Sequence, residues 1–313
     1  MIKQYDEDLE TYEWTPEIGA FMERMNFNAA RIGLRNSSFA NPYGGQAFGY
    51  NESTCRDLLK LGIFAYSNRY VMDVLSMKGT VPIHVYGEHD RDVLIQNDWQ
   101  QEYDAAYQRV HSDGVNPYSI YAAKAGGWST GEHKVFADMA YCRIGDQNII
   151  VVVSNVSADR SVGRIYRQNA IIEVLDLCER VLHGEVVGET PIRYADYAAA
   201  ALLPTDMPSV FLKNREPEFL YAWEPDEKFN PASITKVLAA CTVTDICKSN
   251  QEMYQILDLD ICNDSNYWAF PGDIESVEMG MYPMMICSNG SNTLAMARHC
   301  GKLILSEKEK HQI

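Results

Sequence analysis

Apolar side chains spaced three or four residues apart predict amphipathic helices in both halves of the chain. The first helix covers Ile18 to Ile32, and Thr15-Pro16-Glu17 supplies a cap, a proline and an acid at its start. A second helix is expected to begin after a cap at Ser53 or Thr54. The longest, roughly Ser161 to Leu182, is expected to bury a face rich in isoleucine, valine and leucine.

Runs of apolar and β-branched residues predict strands in two parts of the chain. In the first half, strands are expected over Tyr118 to Trp128, Val135 to Ile144 and Asn148 to Val156, and the last contains a β-branched run typical of a buried central strand. In the second half, Ser209 to Asn214 and Glu218 to Glu224 predict a β-hairpin. The chain is therefore expected to combine helices and strands in an α/β fold.

Two segments rich in proline and glycine interrupt this pattern. Residues 79–118 also carry many charges, and we expect an insertion that roofs or flanks a cleft, with a short helix from Asp98 to Val110. Residues 183–208 contain an alanine run from Ala198 to Ala201 and are expected to form a linker.

The composition describes a globular, acidic chain. Its 313 residues are 46% hydrophobic, and the formal net charge is −16. Nucleic acids and anionic membrane surfaces are therefore not expected as partners. No apolar run is long enough to cross a membrane, and residues 1–8 lack the apolar core of a signal peptide. The chain as written is expected to be cytoplasmic, or extracytoplasmic if a signal has been removed.

The cysteines and histidines are not arranged as in common metal sites. Eight cysteines form no Cys-x-x-Cys pair, and the seven histidines form no metal-spaced pair on a helix. We expect the cysteines to be small buried hydrophobes in a reducing compartment. Neither a metal nor a cofactor is predicted.

The strongest chemical signal is the segment from Phe229 to Ala240, where a loop turns into a helix. Ser233 and Lys236 lie three residues apart, so both side chains reach one face of that helix. A lysine can take the proton of a serine hydroxyl if burial disfavours its ammonium form. The pair therefore predicts a nucleophile beside its base, although a capped helix with a surface lysine would give the same pattern.

Together with its surroundings, this segment resembles the penicillin-recognising active-site-serine enzymes, the D-alanyl-D-alanine carboxypeptidases and class A β-lactamases. Their motifs are Ser-x-x-Lys, Ser-x-Asn and Lys-Thr-Gly. The segment from Ile32 to Gly44, with its Asn-Pro-Tyr-Gly, is similar to the one that follows Ser-x-Asn in the carboxypeptidases. Lys124-Ala125-Gly126 occupies the place of the third motif, with alanine where the family has a hydroxyl. Ser288-Asn289-Gly290 occupies the place of the second, with glycine where the family has asparagine; Cys287-Ser288-Asn289 is the alternative alignment.

The motifs occur in a cyclically permuted order. Residues 1–182 resemble the C-terminal part of the family and residues 209–313 the N-terminal part, so the segment 183–208 joins the family's last element to its first. The resemblance implies one domain, in which a five-stranded antiparallel sheet covered by helices packs beside a mainly helical subdomain. It also implies that Thr15 and Gly301 are neighbours.

The resemblance further implies acyl transfer. Ser233 would attack a carbonyl, Lys236 would accept its proton and Ser288 would pass a proton to the leaving amine. Substrate binding would involve two segments, Lys124, Ala125, Gly126 and Gly127 on the strand, and Asn289 and Gly290 in the turn.

The expected activity is that of a serine-type carboxypeptidase that binds penicillin, acting on a small peptide or β-lactam-like substrate. The absence of a Glu-x-x-Leu-Asn segment argues against a β-lactamase. Two alternatives stay open, a non-catalytic binding module and an esterase or amidase for an uncharged substrate.

Overall fold

The computed structural model describes residues 14–45, 49–112, 114–130, 133–154, 160–204, 216–262 and 269–310. The described residues combine helices and strands, as predicted. The helices are α1 (Pro16–Arg31), α2 (Cys55–Tyr66), α3 (Arg69–Leu75), α4 (Trp99–His111), α5 (Arg160–Leu182), α6 (Thr235–Ile246), α7 (Val277–Met285) and α8 (Gly290–Lys310). The strands are β1 (Gly79–Gly87), β2 (Arg91–Asn97), β3 (Ser119–Thr130), β4 (His133–Ile144), β5 (Gln147–Ser154), β6 (Tyr197–Leu202), β7 (Phe219–Trp223), β8 (Met253–Gln255) and β9 (Asp273–Ser276).

A five-stranded antiparallel sheet in the order β3-β4-β5-β6-β7 separates two layers of helices, which confirms the predicted number and antiparallel arrangement of the strands but not the identity of all five. Successive residues of its strands point to opposite faces, as the pleat requires. Ile150 and Val152 join the core with α2 and α6, whereas Ile149, Val151 and Val153 join the core with α5. The predicted β-branched run is therefore buried on both faces.

One strand of this sheet lies in the segment that was predicted to be a linker. Ala198 to Ala201 form most of β6, which pairs with β5 on one side and β7 on the other. Alanine is less common in strands than β-branched and aromatic residues, so the run did not predict a strand. Its small side chains are fully buried between the helix layers. The predicted strand from Ser209 to Asn214 lies outside the described residues.

A second sheet was not predicted. Its order is β2-β1-β9-β8, and it joins the hairpin of the expected insertion to two short strands near the C-terminal end. Strands β1 and β9 can pair here because Gly87 has no side chain. A Cβ at Gly87 would overlap with the carbonyl oxygen of Gly272. The short helix expected from Asp98 to Val110 corresponds to α4.

The first and last described helices pack along each other. A Cβ at Gly301 of α8 would overlap with the backbone oxygen of Glu17 in α1, so only glycine allows this approach. Thr15 caps α1 through a hydrogen bond from the backbone N–H of Ile18. The predicted proximity of Thr15 and Gly301 is thus confirmed, and α1 continues the helical layer that α8 begins. Within the described ranges, no helix has the length and apolar composition to cross a membrane.

Candidate active site

The predicted nucleophile and base lie side by side. Residues Ala232–Ile234 form one turn of 3-10 helix that leads into α6, so Ser233 stands just before the helix and Lys236 in its first turn. Lys236 Nζ donates to Ser233 Oγ at 3.0 Å and to the carbonyl oxygen of Tyr43 at 2.6 Å. The side chain is buried, with Lys236 only 1% exposed. The surface-lysine interpretation is therefore wrong.

The backbone before the serine is strained. Ala232 has a φ of +46°, which is unfavourable for a residue with a Cβ and costs about 1–2 kcal/mol. The Asn230 side chain holds this conformation by accepting the Ala232 N–H at 2.8 Å. Gly44 packs against the same peptide, because a Cβ there would overlap with the carbonyl oxygen of Ala232. Such strain is characteristic of functional turns, and here it places Ser233 at the surface of the turn.

The loop that carries Tyr43 is held by two buried asparagines. Asn41 accepts the backbone N–H of Gly44 at 2.7 Å, and Asn51 accepts those of Ala40 and Asn41. Asn51 also donates to Thr235 Oγ1 at 3.0 Å, which connects the loop to the first residue of α6. The carbonyl of Tyr43 is therefore fixed relative to Lys236.

A second lysine and serine meet next to this pair. Lys124 Nζ on β3 donates to Ser288 Oγ at 2.8 Å and to the Ala125 carbonyl at 3.0 Å. Lys124 is 1% exposed, and its pKa is lowered well below the ordinary value, first by burial and then by the charges of Lys236 and Arg167. A proton on Lys236 therefore disfavours a proton on Lys124.

Charged residues behind β3 complete this environment and were not predicted. Asp138 is buried, and burial raises its pKa, while the Arg167 guanidinium nearby opposes that rise. Tyr103 donates to Asp138 Oδ2 at 2.7 Å, and Arg167 Nη1 donates to the carbonyl of Gly126 at 3.5 Å. The only sequence signal was a charged residue within an apolar strand, Asp138 in β4.

The glycines of β3 allow the strand to approach the serine turn. A Cβ at Gly126 would lie 2.7 Å from the carbonyl oxygen of Pro231 and 3.4 Å from the Ala232 Cβ. Gly127 follows as an exposed residue at the same edge, and Ala125 is half-buried beside Lys124. These residues line one side of the candidate site next to Ser233.

The turn before α8 supplies Ser288 in a left-handed conformation, with φ of +61°. Asn289 is 1% exposed, and its Oδ1 accepts the backbone N–H of Asn292 at 2.8 Å. This contact caps α8 and gives the Asn289 amide a structural role in addition to any contact with substrate. Gly290 is buried at the first position of the helix.

The site is thus made of hydroxyls, amines and backbone groups. Such groups transfer protons and attack carbonyls. No protein-family model matches the chain, and neither a curated protein nor a solved structure gives a significant match.

Proposed function

We propose that the chain is a serine hydrolase that forms an acyl-enzyme at Ser233 and acts on small peptides in the manner of a D-alanyl-D-alanine carboxypeptidase. The observation that carries the proposal is the contact of 3.0 Å between the Ser233 hydroxyl and the buried amine of Lys236. The second pair, Lys124 and Ser288, lies next to it and supplies a path for a proton.

The proposed acylation begins with attack of Ser233 Oγ on the substrate carbonyl. Lys236 Nζ takes the hydroxyl proton, which requires a neutral amine. Lys236 is buried, and burial disfavours the ammonium form of a lysine. The backbone N–H groups of Ser233 and Gly127 stabilise the oxyanion, a contribution of about 3 kcal/mol for each donor.

Breakdown of the tetrahedral intermediate needs a proton on the leaving amine. Ser288 Oγ donates that proton and accepts another through its partner Lys124, which passes on the proton that Lys236 took from Ser233. The bond that breaks is the one between the carbonyl carbon and the amine nitrogen, and the acyl group remains on Ser233. Water then attacks the acyl carbon, so that its hydroxyl leaves with the acyl group as a carboxylic acid and its remaining proton restores the Ser233 hydroxyl.

The loop beside Lys236 supports a carboxypeptidase over a β-lactamase. Lys236 donates to a backbone carbonyl, that of Tyr43, and residues 41–50 contain neither aspartate nor glutamate. A carboxylate that activates water would speed deacylation, so this loop favours a long-lived acyl-enzyme with β-lactams.

A second candidate is an esterase or amidase for an uncharged substrate. It is favoured by Ala125, which offers no hydroxyl to a terminal carboxylate, and by the lowered pKa of Lys124, which weakens a cationic clamp. A binding module on the same scaffold would not need the contact between Ser233 and Lys236.

Incubation with a fluorescent penicillin followed by intact-protein mass spectrometry tests the proposal. One adduct for each chain is expected, and it disappears in Ser233→Ala. If penicillin leaves no adduct, release of product from small p-nitrophenyl esters that depends on Ser233 would favour the second candidate. Failure of both reactions would exclude catalysis at Ser233.

A further inference from the structure

A cluster of metal-ligating side chains lies at the other end of α6. The ligand atoms of Cys247, Glu252 and His299 are all within 4.8 Å of one another. His299 Nε2 and Glu252 Oε2 are 3.4 Å apart. Cys247 directly follows α6, so the cluster is separated from Lys236 by nearly the length of that helix, roughly 16 Å at 1.5 Å per residue.

The backbone orients the carboxylate of this cluster. Glu252 Oε1 accepts the N–H groups of Lys248 at 2.8 Å and Ser249 at 3.3 Å. These bonds leave Oε2 directed towards His299. A ligating carboxylate that is held by other hydrogen bonds is typical of protein metal sites.

A second thiol lies beside that of Cys247. Cys300 Sγ is 3.5 Å from Cys247 Sγ and neither cysteine forms a disulfide, but Cys300 is not among the three residues whose ligand atoms are all within 4.8 Å of one another. In a tetrahedral zinc site, bond lengths of about 2.0–2.2 Å to nitrogen and oxygen separate a nitrogen from an oxygen by about 3.4 Å. The separation of 3.4 Å between His299 Nε2 and Glu252 Oε2 agrees with this value.

We propose that Cys247, Glu252 and His299 bind a zinc ion. Zinc accepts this mixture of sulfur, nitrogen and oxygen, and binding releases the thiol proton of Cys247 to solvent. Glu252 and His299 are only half-buried, so two of the three ligands have contact with solvent. Such a site would tie the end of α6 to α8, the two helices that follow Ser233 and Ser288.

This site could not be predicted from the sequence because its ligands come from separate elements. Cys247 follows α6, Glu252 precedes β8, and His299 lies in α8. No fixed spacing of the kind found in zinc fingers relates them. For Cys247, the proposed metal site replaces the expectation that the cysteines are small buried hydrophobes.

Calorimetry on the fully reduced chain with zinc chloride tests the proposal. One ion for each chain is expected, with a thiolate-to-metal charge-transfer band when cobalt(II) replaces zinc. Cys247→Ser and His299→Ala should each weaken binding by more than the roughly 10–100-fold loss that outer-shell changes cause. Glu252→Gln provides a milder variant, because glutamine can still accept the N–H groups of Lys248 and Ser249.

Two matched controls remove the same residue types elsewhere, Cys262→Ser and His183→Ala, and both should bind zinc as the wild type does. Absence of zinc binding by the reduced chain would overturn the proposal. It would also be overturned if the Cys247 and His299 variants bound zinc as tightly as the wild type. A disulfide between Cys247 and Cys300 after mild oxidation, in a chain that binds no metal when reduced, would assign the pair to redox chemistry and also overturn it.

Discussion

Lys124 Nζ and Ser288 Oγ are 2.8 Å apart although the two residues are separated by 164 positions in the chain. Strand β3 and the turn before α8 therefore meet at one point, next to the start of α6. This contact brings a second hydroxyl and a second buried amine to the neighbourhood of Ser233. At this position the charge of Lys236 also lowers the pKa of Lys124.

The first prediction concerns the base. Lys236→Met should lower the rate of acylation by penicillin by about 10²–10⁴-fold, the usual contribution of a positioned proton acceptor. The measurement is the time course of adduct formation by mass spectrometry. Lys228→Met is the control, because Lys228 is exposed and pairs with Glu52 at the surface.

Equal rates for Lys236→Met and the wild type would contradict the role of Lys236 as the proton acceptor. The folded state of both variants should be checked by circular dichroism, since Lys236 is buried and Lys228 is not.

The second prediction links Lys124 to stability. Its pKa is lowered in the folded protein, so between that value and about 10.4 the unfolded chain binds a proton that the folded chain does not. The contribution of Lys124 to folding therefore becomes less unfavourable as pH rises through this window. Lys124→Met removes this unfavourable contribution, so the variant should be more stable than the wild type at neutral pH. It should also be acylated more slowly.

The measurement is urea unfolding of the wild type and Lys124→Met at neutral and at alkaline pH. The difference in the free energy of unfolding should be larger at neutral pH and should shrink as the solution becomes alkaline. A difference that does not change with pH would show that Lys124 has the same proton affinity in both states.

The extent to which the fold was predictable from sequence varied with the local signal. The β-branched run in β5 and the periodicity of α1 and α5 predicted their elements closely. Strand β6 was missed because alanine is uncommon in strands, and the run forms a strand only through its pairing with β5 and β7. Strands β8 and β9 were missed because three or four residues of mixed polarity give no period.

The candidate site was predictable where its residues are near in sequence. Ser233 and Lys236 belong to one helical turn, so their spacing alone implies contact. The partner of Lys236 in the neighbouring loop is the backbone carbonyl of Tyr43. Every residue has such a carbonyl, so the sequence does not indicate which one Lys236 contacts. Arg167 reaches the Gly126 carbonyl from α5, a contact that depends on the packing of a helix against a sheet.

The third prediction separates the two candidate substrates. Ala125→Thr restores a hydroxyl beside Lys124, and a hydrogen bond to a charged carboxylate is worth ~1.5–3 kcal/mol, so acylation by penicillin should rise about tenfold or more. Ala125→Val is the matched control, because valine has the shape of threonine without the hydroxyl. Equal rates for the two variants would exclude the contact and would favour an uncharged substrate.

The last prediction tests the support of the serine turn by Gly44. Gly44→Ala should abolish acylation, because its Cβ would overlap with the carbonyl oxygen of Ala232 and would lie 2.8 Å from the Ser233 nitrogen. Gly44 also has a φ of +83°, which adds strain of about 1–2 kcal/mol for alanine. Gly79→Ala is the control, because Gly79 has nearly the same φ, +81°, and a Cβ there would have no atom within 4 Å. The control should therefore lose only this stability and keep its rate of acylation, as thermal unfolding and adduct formation will measure. If Gly44→Ala is acylated as fast as Gly79→Ala, the turn around Ser233 does not depend on Gly44.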